Sequence, residues 1–230
     1  VHAETSTGAR QPLEGVGELC REFDCLLLVD TVTSLGGVPF FLDRWGVDVA
    51  YSGSQKCLSC PPGIAPLSLG PRAVDRMTRR TSPVANWSLD LTLLGRYWGS
   101  DRTYHHTAPI SMNYALREAL RIVAEEGLEE RWNRHEANAN LFWEGLAGMG
   151  LECHVAPEHR LTSLTTVRVP EGVDAKAVGA RLLDGYDIEI AGGLGELAGR
   201  VWRVGLMGHN SRPENVQALL GALQEVLARH

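Results

Sequence analysis

The sequence contains no long hydrophobic run, and its longest apolar stretch, CLLLV, covers only residues 25–29. A membrane-spanning helix needs about 20 consecutive apolar residues, so we expect no membrane span. The net charge is -6 and no basic stripe is present, which argues against a nucleic-acid-binding protein. The five cysteines are an odd, scattered set and are typical of reduced thiols, not of a disulfide framework.

Metal ligands in a recognisable arrangement are also lacking. Cys57 and Cys60 form a C-x-x-C, but no second pair follows at the spacing of a zinc ribbon. The neighbouring His105 and His106 cannot easily face one metal from an extended loop, and no third ligand lies near them in the sequence. We therefore expect no metal site.

The chain begins Val1-His2-Ala3-Glu4, without an initiator methionine, a targeting segment or a helix-opening signal. We expect the sequence to enter in the middle of a domain whose N-terminal part lies upstream, so that it represents an N-terminally truncated chain. No targeting signal is visible, and no internal repeat or low-complexity tract interrupts the sequence.

Helical and strand patterns alternate in the first part of the chain. A helix is predicted over 12–23 and another from 72 onward; short buried strands are predicted over 25–30, from 47 and over 64–70. This alternation favours an α/β domain built on a mixed, mostly parallel sheet. Ligands bind such sheets outside the carboxyl ends of the strands, which is where Asp30 and the segment 52–56 are placed.

The second part of the chain has a different organisation. The spacing of apolar residues over 112–147 predicts two helices divided by Gly127. Strands are then predicted at 151–155, 164–170 and 201–206, with helices at 174–183 and 213–230. We therefore predict a remaining part of a large domain over 1–125 and a small C-terminal α+β domain over 126–230.

Lys56 follows a predicted strand among small residues and precedes a Pro-Pro-Gly turn. A lysine that attacks an aldehyde must be partly desolvated, so that it can be neutral and nucleophilic. Taken alone, Lys56 is more simply interpreted as an exposed lysine at the end of a loop than as a lysine that binds an aldehyde.

Asp30 ends the preceding strand and changes this balance. Pyridoxal phosphate acts as an electron sink when its ring nitrogen stays protonated, and a nearby aspartate keeps it so. The alternative for Asp30 is a cap on the turn at residues 31–34. On the chemistry alone, Asp30 and Lys56 together favour a pyridoxal-phosphate site and the alternative, a turn cap beside an exposed lysine, about equally.

Six strings in one order resemble the class V aminotransferases of fold type I, a family that depends on pyridoxal 5'-phosphate. These strings are STGARQPL, CLLLVDTVTSLGG, VDVAYSGSQKCLSCPPG, YHHTAP, DIEIAGGLG and VWRVGLMG. The resemblance covers essentially the whole chain. In such proteins a ring-stacking aromatic residue and a glycine-rich phosphate loop are expected upstream of Val1.

The resemblance implies that Lys56 forms the Schiff base with the cofactor and later moves the substrate's proton. It also implies that Asp30 holds the pyridinium nitrogen and that Gln55 contacts the phosphate. Thr5 matches a hydroxyl residue near the ring, although it is alternatively an ordinary turn hydroxyl. Arg203 matches the arginine that binds the substrate carboxylate, a role that suits a guanidinium because this planar group can donate to both carboxylate oxygens. Alternatively, the Arg203 side chain faces the surface from its strand.

Tyr104 and Thr107 match residues that reach the phosphate of a neighbouring subunit. The resemblance therefore implies a homodimer with shared active sites. The alternative for Tyr104 is an aromatic residue at the rim of a loop.

The implied activity is transfer of the amino group of alanine or serine to glyoxylate or pyruvate in a ping-pong reaction. The branch of the family that it most resembles implies a peroxisomal or mitochondrial location. Two alternatives stay open: a class V lyase such as a cysteine desulfurase, and a non-catalytic fragment that keeps only the dimerisation surface. The chain by itself is expected to be incomplete as an enzyme.

Overall fold

A computed structural model of the protein describes residues 1–228. The helices of this range are α1 Val16–Glu22, α2 Pro71–Thr78, α3 Leu91–Trp98, α4 Ile110–Glu126, α5 Leu128–Gly148, α6 Ala175–Tyr186 and α7 Pro213–Leu227. Its strands are β1 Ala3–Glu4, β2 Ala9–Arg10, β3 Leu28–Asp30, β4 Val49–Tyr51, β5 Leu67–Leu69, β6 Leu164–Arg168, β7 Ala191–Gly192 and β8 Val201–Gly205.

The first three-stranded sheet has the order β3-β4-β5 and is mixed. β3 pairs with β4 in parallel, whereas β5 returns antiparallel to β4, because the segment between Ser54 and Ile64 reverses the chain. β3 is shorter than the predicted strand 25–30. The Asp48 carboxylate accepts the backbone N–H of Leu27 at 2.8 Å, so a side chain replaces the strand partner there.

Gly127 separates α4 from α5, as predicted. The second sheet has the order β6-β8-β7 and is antiparallel throughout. The strand predicted at 151–155 is wrong: the segment makes only an isolated bridge between Cys153 and Val167. The predicted helix 213–230 corresponds to α7; residues 229 and 230 lie outside the described part.

The helix predicted over 12–23 forms as α1, but its apolar side does not all point inward. Leu13 is buried, whereas Leu19 is 55% exposed and Phe23 is 72% exposed. Gly17 is the buried residue of this helix, so α1 contacts the rest of the chain through its small residue and turns the larger ones outward.

The largest apolar cluster lies in the C-terminal part, between α5, α6, α7 and the second sheet. Phe142 and Trp202 are its largest buried side chains, and the indole of Trp202 donates to the carbonyl of Ala175 at 3.0 Å. A second cluster joins Leu13 to the strands β3 and β4. The boundary between residues 125 and 126 stays a prediction.

Within residues 1–228, no helix combines the length and the apolar character needed to cross a membrane.

The central position of Phe142 in the larger cluster leads to a stability prediction. Phe142→Ala should lower the free energy of unfolding by about 3–5 kcal/mol, because it removes buried apolar surface and leaves a cavity. Leu183→Ala is the matched control, since Leu183 is 48% exposed on α6. Urea unfolding followed by circular dichroism measures both, and equal losses for the two variants would contradict this description of the core.

Candidate active site

The parallel register of β3 and β4 places Asp30 directly beside Tyr51. One carboxylate oxygen of Asp30, Oδ2, accepts the Tyr51 hydroxyl at 2.7 Å. The other, Oδ1, accepts the backbone N–H of Val32 at 2.8 Å. The second contact is the cap on the turn at residues 31–34 that the sequence offered as the alternative role of Asp30. The same carboxylate therefore caps this turn and lies at the carboxyl edge of the sheet.

Side-chain hydrogen bonds tie the loop after β3 to the segment after β4. The hydroxyl of Thr31 donates to the carbonyl of Tyr51 at 2.7 Å, and the hydroxyl of Ser52 donates back to the carbonyl of Thr31 at 3.1 Å. The thiol of Cys57 lies 3.5 Å from the carbonyl of Thr33. The turn that carries Lys56, residues 54–60 and called the Lys56 turn below, is therefore fixed relative to the loop that follows Asp30.

Lys56 is half-buried in this turn, between the fully buried residues Ser54 and Cys57. Its backbone carbonyl accepts the N–H of Ser59 at 3.0 Å. The Lys56 side chain makes no hydrogen bond or ion pair with any described residue, so the amine is not held by a carboxylate. Such an amine is available for reaction with an aldehyde.

Cys57 and Cys60 are 0% and 4% exposed. Burial raises the pKa of the Cys57 thiol to about 11, so it is a neutral thiol at physiological pH. A buried neutral thiol is a poor nucleophile. This geometry disfavours the lyase alternative, which needs a mobile, reactive cysteine.

Arg203 on β8 reaches across to the N-terminal segment of the chain. Its Nε donates to the carbonyl of Gly192 at 2.7 Å, and its Nη1 donates to the carbonyl of Thr5 at 3.4 Å. The hydroxyls of Thr5 and Thr33 lie 2.7 Å apart. Arg203 is half-buried, and these contacts bring it together with Thr5 and with the loop after Asp30.

The glycine run 192–195 divides into two kinds of position. A side chain at Gly193 would bring its Cβ within 2.0 Å of the carbonyl oxygen of Leu197, so this glycine is required by the fold. A Cβ at Gly192 would meet nothing within 4 Å. Open space therefore lies beside Gly192, whose carbonyl is already bound to Arg203.

The remaining predicted residues do not join this group within the single chain. Gln55 is exposed, and its amide oxygen would lie 2.7 Å from a Cβ at Gly53. The hydroxyls of Tyr104 and Thr107 lie 3.0 Å apart, and Tyr104 is 72% exposed. No hydrogen bond joins these three residues to Lys56 or Asp30 in the described range, so their predicted phosphate contacts stay predictions.

His105 and His106 have their Nδ1 atoms 2.9 Å apart, and the ring of His105 stacks on Trp87 at 3.8 Å between centroids. The Nε2 of His105 lies 3.1 Å from the carbonyl oxygen of Trp87. These contacts account for both ring nitrogens of His105. In the part of the chain that the structure describes, no group of three or more His, Cys, Asp or Glu could hold a metal ion.

Tyr51 and Thr33 contact the predicted site residues, and neither was predicted from the sequence. Tyr51 could have been found by aligning the ends of the two parallel strands, because Asp30 and Tyr51 are both final strand residues. Thr33 could not, because its contact with Thr5 depends on tertiary structure.

Comparison with known proteins bears on this group of residues. Residues 1–219 match the family described as Aminotransferase class-V. The crystal structure of an alanine–glyoxylate aminotransferase from Nostoc sp. superposes with a TM-score of 0.96 at 65% identity, covering 98% of this chain and 60% of that one. The chain therefore belongs to the class V aminotransferases, a family of fold type I that depends on pyridoxal phosphate.

Two curated relatives are similar over almost the whole chain. Alanine–glyoxylate aminotransferase of Mus musculus is 48% identical over 99% of this chain and 56% of its own length. The (S)-ureidoglycine–glyoxylate transaminase of Bacillus subtilis (strain 168) is 40% identical over 100% of this chain and 60% of its own length. The chain thus spans little more than half the length of these curated relatives.

The contact between Tyr51 and Asp30 leads to a titration prediction. The hydrogen bond to the Asp30 carboxylate, with a smaller contribution from burial, raises the pKa of the Tyr51 phenol. Asp30→Asn removes the negative charge that the ionised phenol would face, so the pKa of Tyr51 should fall toward its ordinary value. Nuclear magnetic resonance of ring-labelled tyrosine measures this; Tyr114, which is exposed on α4, serves as the internal reference. An unchanged Tyr51 titration would show that the pair does not form.

Proposed function

We propose that the protein carrying this chain is a pyridoxal-phosphate-dependent transaminase that moves the amino group of alanine or serine to glyoxylate or pyruvate. The observation that supports it most is the arrangement at the carboxyl edge of the first sheet. Asp30, the Lys56 turn, Thr5 and Arg203 belong to one hydrogen-bonded unit, in a chain of the class V aminotransferase family.

The donor set fits pyridoxal phosphate. The Lys56 amine suits its aldehyde, and the fixed Asp30 carboxylate suits its ring nitrogen. The Thr5 hydroxyl suits a position near the ring, and the half-buried guanidinium of Arg203 suits the carboxylate of a substrate. When bound, the cofactor supplies an aldehyde for covalent attachment and a ring that withdraws electrons from the reacting carbon. We assign Lys56 to the aldehyde and Asp30 to the proton on the ring nitrogen.

Lys56 then acts as the base that takes the proton from the substrate Cα. It can do so because no carboxylate among the described residues holds its amine. The Asp30 carboxylate would hold the ring nitrogen of the bound cofactor in its protonated form. Tyr51 and the N–H of Val32 hold the carboxylate in place, so the Asp30 side chain does not have to be reoriented during the reaction.

Arg203 binds the carboxylate of the amino acid and of the oxo acid in turn. Its Nε is used by Gly192 and one Nη1 donor by Thr5. Its Nη2 donors make no hydrogen bond with any of residues 1–228 and are available to a ligand.

A homodimer completes the site in this proposal. Gln55 binds the cofactor phosphate within its own subunit, and Thr5 contacts the ring. Tyr104 and Thr107 reach the phosphate of the neighbouring subunit, which agrees with their exposure on a loop of the single chain.

Glyoxylate is the acceptor best supported by the comparisons, because the Nostoc, mouse and Bacillus subtilis relatives are all named for it. Their donors differ, and the higher identities to the alanine–glyoxylate enzymes favour alanine. The predicted peroxisomal or mitochondrial location stays a prediction, since relatives of this similarity come from bacteria as well as from animals.

The assignment of Lys56 can be tested by covalent trapping, with Lys176, the other lysine of this sequence, as the control. Full-length protein incubated with pyridoxal phosphate and reduced with borohydride should carry the pyridoxyl group on the Lys56 peptide, read by mass spectrometry. Lys56→Arg should abolish this label, whereas Lys176→Arg, at an exposed position of α6, should leave it unchanged. Absence of label from Lys56 in the wild type would favour the non-catalytic alternative.

The same proposal predicts the kinetic order. Because the amino group rests on the enzyme between the two half-reactions, initial rates with varied alanine and glyoxylate should give parallel lines in double-reciprocal plots. Intersecting lines, the mark of a ternary complex, would contradict the transaminase mechanism.

A further inference from the structure

The side of the Lys56 turn that faces the C-terminal part is held by one buried arginine. Arg131, in the first turn of α5, is 2% exposed. Its Nη2 donates to the carbonyl of Cys57, the residue after Lys56, at 2.5 Å, and its Nε donates to the carbonyl of Gly36 at 3.1 Å. One guanidinium therefore joins the Lys56 turn to the loop that follows Asp30.

The charge of Arg131 is compensated locally. Its Nη1 donates to Glu126 at 2.5 Å, and Nε of Arg134 donates to the other oxygen of the same carboxylate at 2.5 Å. Burial alone would raise the pKa of Glu126, but the hydrogen bonds from Arg134 and Arg131 outweigh it and lower the pKa. The carboxylate is therefore charged at neutral pH, and it orients Arg131 toward the two carbonyls.

His135 extends the contact toward the second sheet. The backbone N–H of Gly208 donates to Nε2 of His135 at 2.9 Å. Nε2 must be unprotonated to accept, so the proton is on Nδ1, which donates to the carbonyl of Arg131 at 2.7 Å. Burial lowers the pKa of His135 to about 4, which keeps the ring in this neutral form.

Gly208 lies three residues after the end of β8, the strand that carries Arg203, and contacts the Lys56 turn directly. Its φ is +56°, and a Cβ there would lie 1.9 Å from Oγ of Ser59 and 2.7 Å from the carbonyl oxygen of Cys57. The N–H of His209 donates to Oγ of Ser59 at 2.8 Å. The chain after β8 and the Lys56 turn are therefore in contact.

We propose that Arg131 is a positioning residue for the reaction. Its side chain fixes the turn that carries Lys56 relative to the loop that follows Asp30. Gly208, which is held by His135, places the chain after β8 against the same turn. This inference rests on the proposed transaminase function. A guanidinium is needed because its planar fork binds two carbonyls and a carboxylate at once, whereas a lysine is a point charge on a flexible stem.

The test uses the full-length protein loaded with pyridoxal phosphate and the variant Arg131→Lys, which keeps the charge. We expect kcat to fall about tenfold to a hundredfold, the scale of a misplacement of about 1 Å, with KM for the oxo acid within a factor of about two, since Arg203 and its contacts are intact. The pH midpoint of the absorbance of lysine-bound cofactor should shift, and hydrogen exchange of the peptide 54–60 should accelerate in the cofactor-free protein.

Arg79→Lys is the matched control, because Arg79 is an exposed arginine that pairs with Asp75 on α2. It should leave kcat, the pH midpoint and the exchange of 54–60 unchanged. A purely structural role for Arg131 predicts a lower melting temperature with unchanged kcat and pH midpoint in the folded fraction, and this result would overturn the inference.

Ser59→Ala decides the question if the Arg131 variant does not fold. Ser59 is exposed, and its loss removes only the bond from His209 to the Lys56 turn. We expect a several-fold fall in kcat with a shift of the pH midpoint in the same direction. Unchanged values would refute the coupling, whereas failure of the wild type to bind pyridoxal phosphate at Lys56 would refute the proposed function itself.

Discussion

The parallel pairing of β3 with β4 is the constraint on which the candidate site depends. It brings the last residues of both strands, Asp30 and Tyr51, to the same edge of the sheet and into hydrogen-bond contact. The chain then leaves both strands in loops that Thr31, Ser52 and Cys57 tie together. The Asp30 carboxylate and the turn that carries Lys56 are thus held relative to one another by these contacts.

A second layer of contacts supports that edge from behind. The buried Arg131 joins the Lys56 turn to the loop after Asp30, and His135 continues this contact to the chain after β8. Buried charges and imidazoles are stable only when their donors and acceptors are satisfied, and here they are. Arg203 is held separately, through the carbonyls of Gly192 and Thr5.

Periodicity predicted the elements that depend on local sequence and missed those that depend on partners. Two of these predictions are confirmed: the division of the long helical segment at Gly127, and the strand that carries Arg203. The strand predicted at 151–155 forms only one bridge, and Phe23, directly after α1, points outward. Apolar spacing shows which side of an element can be buried, but whether that side finds a partner is decided by the rest of the chain.

The sequence by itself determined the family and the chemical groups: an amine at Lys56, a strand-terminal carboxylate at Asp30 and a guanidinium at Arg203 within a recognisable order of motifs. Only the tertiary structure decided which groups contact one another. Thr33, Arg131 and His135 act through hydrogen bonds to residues that are far from them in sequence. Such contacts leave no local pattern, because they require only that one polar atom lie within about 3 Å of another after the chain has folded.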